Sequence, residues 1–133
     1  MPYYMLKSII EKQYSQPLDE LVQQRLFKSL GANLSTYKPL DKCKIHQLIP
    51  TEIDNYFRYD KVQGYVHDMG AAMQNGVGGH AGVFSNANDV AKIMQLYLQK
   101  GFFGGKRYFK TKTIDKFNTC YFCTKDNRRG IGF

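Results

Sequence analysis

Two histidines, an aspartate and six of the twelve glycines fall within one stretch, Gly64 to Ser85, which reads GYVHDMGAAMQNGVGGHAGVFS. Histidine can carry a proton near neutral pH, and a carboxylate beside it can orient it. His67 and Asp68 are adjacent, and adjacent residues on a helix point in different directions. Both are therefore expected to cap and hydrogen-bond the glycine loop rather than act as an acid/base couple. His80 stands between glycines and is the candidate for contact with a substrate. A glycine-rich turn feeding a helix start can serve as an active-site rim, with Gly79, Gly82 and Ser85 beside His80, as an anion site, or as a tight corner. The competing expectation for His80 is that its ring bonds loop carbonyls and orders the turn. Glycine at this density means left-handed backbone or the close approach of another group.

Other residue types offer less. The three cysteines include a lone Cys120-x-x-Cys123, with Cys43 far away. A structural zinc site needs four ligands, and His46, His67 and His80 lie at no zinc-finger spacing. No metal and no cofactor is expected, and the cysteines are expected as core thiols beside Tyr121 and Phe122. No acidic pair has the context of a glycosidase. The formal charge of +8 on 133 residues is high, which admits nucleic acid or an anionic envelope polymer as a partner. Apart from Lys106-Arg107 and Arg128-Arg129, the basic residues read as scattered along the chain. Nothing approaches the roughly 20 apolar residues of a membrane span, and no signal peptide is expected at Met1-Pro2-Tyr3-Tyr4.

Several elements must position these groups. Met5, Leu6, Ile9 and Ile10 predict a helix from Tyr3 to about Lys12. Pro17 at a first helical position opens a second, with Leu18, Leu21, Val22, Leu26 and Phe27 as its stripe and Gly31 as its stop. The two are expected to pair as a hairpin. Ala32 to Gln63 shows no sustained period and is expected as a long irregular loop; Ile49-Pro50-Thr51-Glu52 and Tyr56-Phe57-Arg58 are its most distinctive pieces. Ala71-Ala72-Met73 suggests a short helical run. Ser85-Asn86-Ala87-Asn88-Asp89 opens the clearest helix, about Asn86 to Lys100, with Val90, Ile93, Met94, Tyr97 and Leu98 on one face. Phe102 to Gly105 is a turn, and Lys106 to Phe109 a short extended piece. Thr111 is expected to cap a last helix through Phe117.

The order of these pieces resembles the beta-lactamase-like serine hydrolases: class C beta-lactamases, penicillin-binding proteins and related esterases. The resemblance runs through Pro17-Leu18-Asp19, Ile49-Pro50-Thr51-Glu52, Gly64-x-Val66-His67-Asp68, Gly78-Gly79-His80-Ala81-Gly82-Val83-Phe84-Ser85 and Arg128-Arg129-Gly130-Ile131-Gly132-Phe133. It implies a nucleophilic serine in S-x-x-K, a Y-x-N element and a K-T-G or H-T-G strand. Ser35-Thr36-Tyr37-Lys38 matches the first by letters, but in the irregular loop, where no helix holds the two on one face. Tyr3-Tyr4-Met5 does not supply the second. The resemblance thus implies a fragment without catalytic residues of its own, the nucleophile lying before Met1 and the third motif after Phe133. The alternating Gly/apolar ending reads as the approach to a strand.

The expected fold class is mainly α: one helical subdomain over residues 1–133, with a long irregular loop and little strand. The resemblance implies a parent that hydrolyses amide, ester or peptidoglycan-like substrates in the periplasm or cell envelope, and similar proteins begin with a family-three glycoside hydrolase domain. The expected partners are the remainder of that hydrolase domain and, through uncovered apolar surface, a second copy. The rival reading is a basic, non-enzymatic module for nucleic acid or an anionic polymer. Against nucleic acid, Tyr97 falls on the apolar stripe while Lys92 lies off it. Asp89 would also repel an anion at the helix start.

Overall fold

The structure is a computed structural model that describes residues 2–125 and 129–131. The chain divides into two units, Met1–Asp89 and Val90–Phe133.

In the first unit, α1 (Pro2–Tyr14) buries none of its residues; Tyr3, Met5, Leu6 and Ile9 are exposed. The expected hairpin forms. The Glu11 carboxylate accepts the Leu18 N–H at 2.9 Å and so supplies a cap for the next helix, while the Arg25 guanidinium lies 4.3 Å from the Tyr14 ring centroid. Pro17 does not sit inside that helix: its ψ of 145° is extended, and α2 (Leu18–Val22) starts one residue later. The helix widens into a π-type turn over Gln23–Phe27 and closes as α3 (Lys28–Leu30), stopped by Gly31 at φ 68°. Leu18, Leu21, Phe27 and Leu30 point inward with Val62, Val66, Ala71 and Val77.

The region expected as an irregular loop contains two 3-10 turns and an antiparallel ribbon, β1 (Pro50–Asp54) with β2 (Asp60–Gln63). Glu52 faces Val62 and Asp54 faces Asp60, with a bulge at Thr51. A second ribbon, β3 (Phe102–Phe103) with β4 (Lys106–Arg107), belongs to the other unit. The fold is therefore mixed α/β, not mainly α. β1 and β2 escaped the reading by period because both are short and each offers a single branched apolar residue, Ile53, which is 71% exposed, and Val62, which is buried. A short α4 (Met69–Ala72) follows. An isolated bridge then ties Phe84 to Thr36, with N–H to carbonyl bonds of 2.7 and 2.9 Å.

The unit division falls inside α5 (Ala87–Leu98). In the second unit its buried residue is Leu96, which lies off the expected stripe; Val90, Met94 and Leu98 are exposed. Gly104 and Gly105, both at positive φ, make the two-residue turn that the twist of a ribbon favours. The last helix, α6 (Thr111–Asn118), buries Ile114. Thr111 does not cap it: Lys110 precedes the helix and provides no side-chain bond. Cys120 and Cys123 form a disulfide, not core thiols, and Tyr121 and Phe122 between them are exposed. Ile131 donates its N–H to the Phe117 carbonyl. The expected approach to a strand, Gly130 to Phe133, falls partly on Gly132 and Phe133, which lie outside the described residues.

Candidate functional site

The glycine-rich stretch is held by three sets of contacts, all within the first unit. Asp68 is the N-cap of α4 and accepts the Ala71 N–H at 2.7 Å. The same oxygen lies 2.8 Å from His80 Nε2. The Ala71 N–H and then the His80 imidazole hold the Asp68 carboxyl below its ordinary range. The Tyr4 ring meets His80 edge-on, with centroids 4.8 Å apart. His80 is thus fixed by its Nε2 and by one ring edge. With Nε2–H donated to the carboxylate, Nδ1 is left as a proton acceptor.

His67 lies in a different arrangement. Its Nε2 is 3.2 Å from Glu52 Oε2. Glu52 also pairs with Arg58, whose Nε donates to Asp54 Oδ2 at 2.8 Å. The Arg58 guanidinium further donates to the carbonyls of Val66 (2.6 Å) and His67 (2.9 Å). Asp54 takes the N–H groups of Tyr56, Phe57 and Arg58, closing the turn of the ribbon. Burial alone would push the Asp54 carboxyl up. The Arg58 guanidinium and the three N–H groups outweigh it and hold the carboxyl well below the usual range. Thr51 adds a bond from its hydroxyl to the Tyr65 carbonyl.

These depressed carboxyls fix a sign. Each contributes stability that is complete above the unfolded carboxylate pKa and lost as pH falls toward the lower folded value. Urea midpoints are expected to fall steadily from about pH 5 to about pH 2, and Asp54→Asn is expected to flatten that fall. An Asp54→Asn variant with the full wild-type slope would show that other groups drive it.

The third set lies at the far end of the stretch. Ser85 Oγ is 2.8 Å from Ser35 Oγ, and Asp89 Oδ2 accepts from the N–H groups of Leu34 and Ser35 and from the Ser35 hydroxyl. Asn86 caps α5 through a bond from the Asp89 N–H at 2.9 Å. Ser85 and Asn86 line a cavity of about 390 Å³ with Phe84, Leu34, Leu48 and the free thiol Cys43.

Of the expected rim residues, then, His80 meets Asp68, Gly79 lies against the Tyr3 carbonyl, and Gly82 against the Gly76 carbonyl. Ser85 turns to the Ser35 side instead. Ser35 is fully buried, and Lys38 Nζ lies 2.5 Å from Asp19. The bond to Asp19 raises the Lys38 pKa, so that lysine is no base for Ser35. No serine is bonded to a histidine among the described residues. The arrangement can bind, orient and accept a proton at His80, but it sets up no nucleophile. Among those residues no group of His, Cys, Asp and Glu could hold a metal ion. Tyr4, Glu52, Arg58 and Asp54 were missed as parts of this site. Glu52 and Arg58 stood in the two most distinctive loop pieces, but nothing local links them.

No family model matches the chain. It is 34% identical over 143 aligned residues to a protein of Escherichia coli K12 named "Putative D-alanyl-D-alanine carboxypeptidase", covering 98% of this chain and 32% of that one. It is 38% identical over 127 residues to the N-acetylmuramyl-L-alanine amidase of Bacillus subtilis 168, covering 86% of this chain and 29% of that one. A Salmonella agona protein with the carboxypeptidase name is 34% identical over 127 residues, again covering 86% and 29%. The chain spans about a third of the length of the curated relatives it matches. These names overturn the beta-lactamase-like resemblance, and none of them is that of an esterase or a glycosyl hydrolase.

Proposed function

We propose that this chain is the part of a peptidoglycan amide hydrolase that shapes the rim of the substrate site, in a parent that acts in the cell envelope or periplasm. The observation that carries it is the likeness, across most or nearly all of this chain, to proteins named for two different hydrolyses of peptidoglycan amide bonds. An element shared by a carboxypeptidase and an amidase suits substrate handling better than choice of the scissile bond. His80 is the rim residue to test, with Gly79, Gly82 and Ser85 beside it. The site sets up no nucleophile of its own, so the reacting groups are assigned to the remainder of the hydrolase.

The chain alone is expected to release neither D-alanine from a D-alanyl-D-alanine peptide nor peptide from muropeptides. Grafted in place of the aligned third of the Bacillus subtilis amidase, it is expected to support peptide release. In that graft His80→Ala should lower kcat/KM by roughly 100-fold, as loss of a proton-handling group does. Asp68→Asn should cost less, because the ring loses its orienting partner but not its nitrogen. A folded graft, verified by circular dichroism, in which His80→Ala changes kcat/KM by less than about twofold would remove His80 from the reaction.

A further inference from the structure

The basic residues look scattered along the chain, but they are unevenly divided between the two units. Residues 90–133 hold ten of the nineteen Lys and Arg and only two of the eleven Asp and Glu. Residues 1–89 hold nine of each sign and are neutral. The second unit therefore carries the whole net charge of +8. We propose that this unit is a docking surface for an anionic phospholipid bilayer.

Four of its lysines face outward or lie beside a turn. Ile114 is buried in α6, so Lys112 and Lys116, two positions to either side and exposed, lie on the opposite face of the helix. Lys110 precedes the helix, and Lys106 lies beside the Gly104-Gly105 turn with its ammonium 5.1 Å from the Tyr108 ring centroid. None of these four lysines pairs with a carboxylate among the described residues. Asp115, on the same helix, is engaged by Lys100 at 2.6 Å. Arg107 is committed elsewhere, to the carbonyls of Lys100 and Phe109.

The unit also exposes aromatic rings: Phe102, Tyr121 and Phe122. The Cys120–Cys123 disulfide closes a tight loop that leaves its two aromatics 52% and 57% exposed. Inorganic polyphosphate takes the cations and leaves such rings in water, and single-stranded DNA, whose bases can stack on rings, is the competitor that the test must separate. A bilayer interface takes both, because lysines meet the anionic headgroups while aromatic rings settle at headgroup depth. This contact lies on the surface; among the described residues no helix is long and apolar enough to cross a membrane. The inference does not depend on the peptidoglycan reading.

The test is sedimentation of the 133-residue chain with vesicles, with soluble polyphosphate and single-stranded DNA titrated in parallel. Binding is expected to equimolar phosphatidylglycerol and phosphatidylcholine, not to phosphatidylcholine alone, and to weaken between about 50 and about 200 mM salt. Each lysine near an anionic surface strengthens binding by roughly fivefold. Lys112→Gln with Lys116→Gln should thus weaken it by roughly 25-fold, and the two Glu replacements by more. Tyr121→Ser with Phe122→Ser should weaken vesicle binding while leaving polyphosphate binding unchanged. Absence of binding to the anionic vesicles would overturn the proposal. So would unchanged binding in the double lysine variant, or polyphosphate or DNA binding as tight as that to vesicles.

Discussion

Gly82→Ala is expected to destabilise the first unit by about 4 kcal/mol, at the extreme of single substitutions. Gly82 sits at φ +117°, where a side chain is strained, and a Cβ built there falls inside the van der Waals shell of the Gly76 carbonyl oxygen. That oxygen belongs to backbone and cannot swing away as a side chain could. Gly76 is itself at φ +78°, so the loop has little freedom to yield. Gly104→Ala is the matched control. Gly104 is also at positive φ, at 56°, but nothing lies within 4 Å of its added Cβ. Its cost should be the conformational term alone, about 1 kcal/mol. Urea unfolding of both variants separates the terms. If the two lose equal stability, the close approach at Gly82 has no energetic weight.

Arg58→Ala is expected to lower Tm by on the order of 10 °C. The guanidinium joins the ribbon to the backbone just before the Asp68 cap through several bonds at once. It meets Glu52 and Asp54 on one side and the carbonyls of Val66 and His67 on the other. Removing it strands the Asp54 carboxylate, whose side chain is fully covered, without its cation. It also leaves two carbonyls without their donor. Lysine keeps the charge but is a single point, not a planar fork. Arg58→Lys should therefore recover less than half of the loss in thermal melts followed by circular dichroism. Full recovery by lysine would mean that charge alone matters and that the bonds to Val66 and His67 are incidental.

Both predictions rest on contacts that local sequence could not announce. Gly82 was legible as a residue with a special backbone role, because glycine density signals positive φ whatever the surroundings. Its neighbour, the Gly76 carbonyl, was not. Arg58 lay in a segment read as loop, because period-two alternation cannot show in a strand of four or five residues with one branched apolar residue.

The sequence by itself determined where α1, α5 and α6 run, since side chains three and four apart meet on a helix whatever else the chain does. It also determined the stop at Gly31 and the Asn86 start of α5, because caps are local chemistry. It singled out His67, Asp68 and His80 as a group worth following. Only the tertiary structure decided that Asp68 serves His80, twelve residues on, and that His67 turns instead to Glu52. It likewise decided that Asp89 reaches back to Leu34 and Ser35, and that Leu96, not the expected stripe, is the apolar residue α5 buries. The reason is physical. A period records which residues can share a face, but which face is covered depends on what packs against it, and carboxylates find their partners through space.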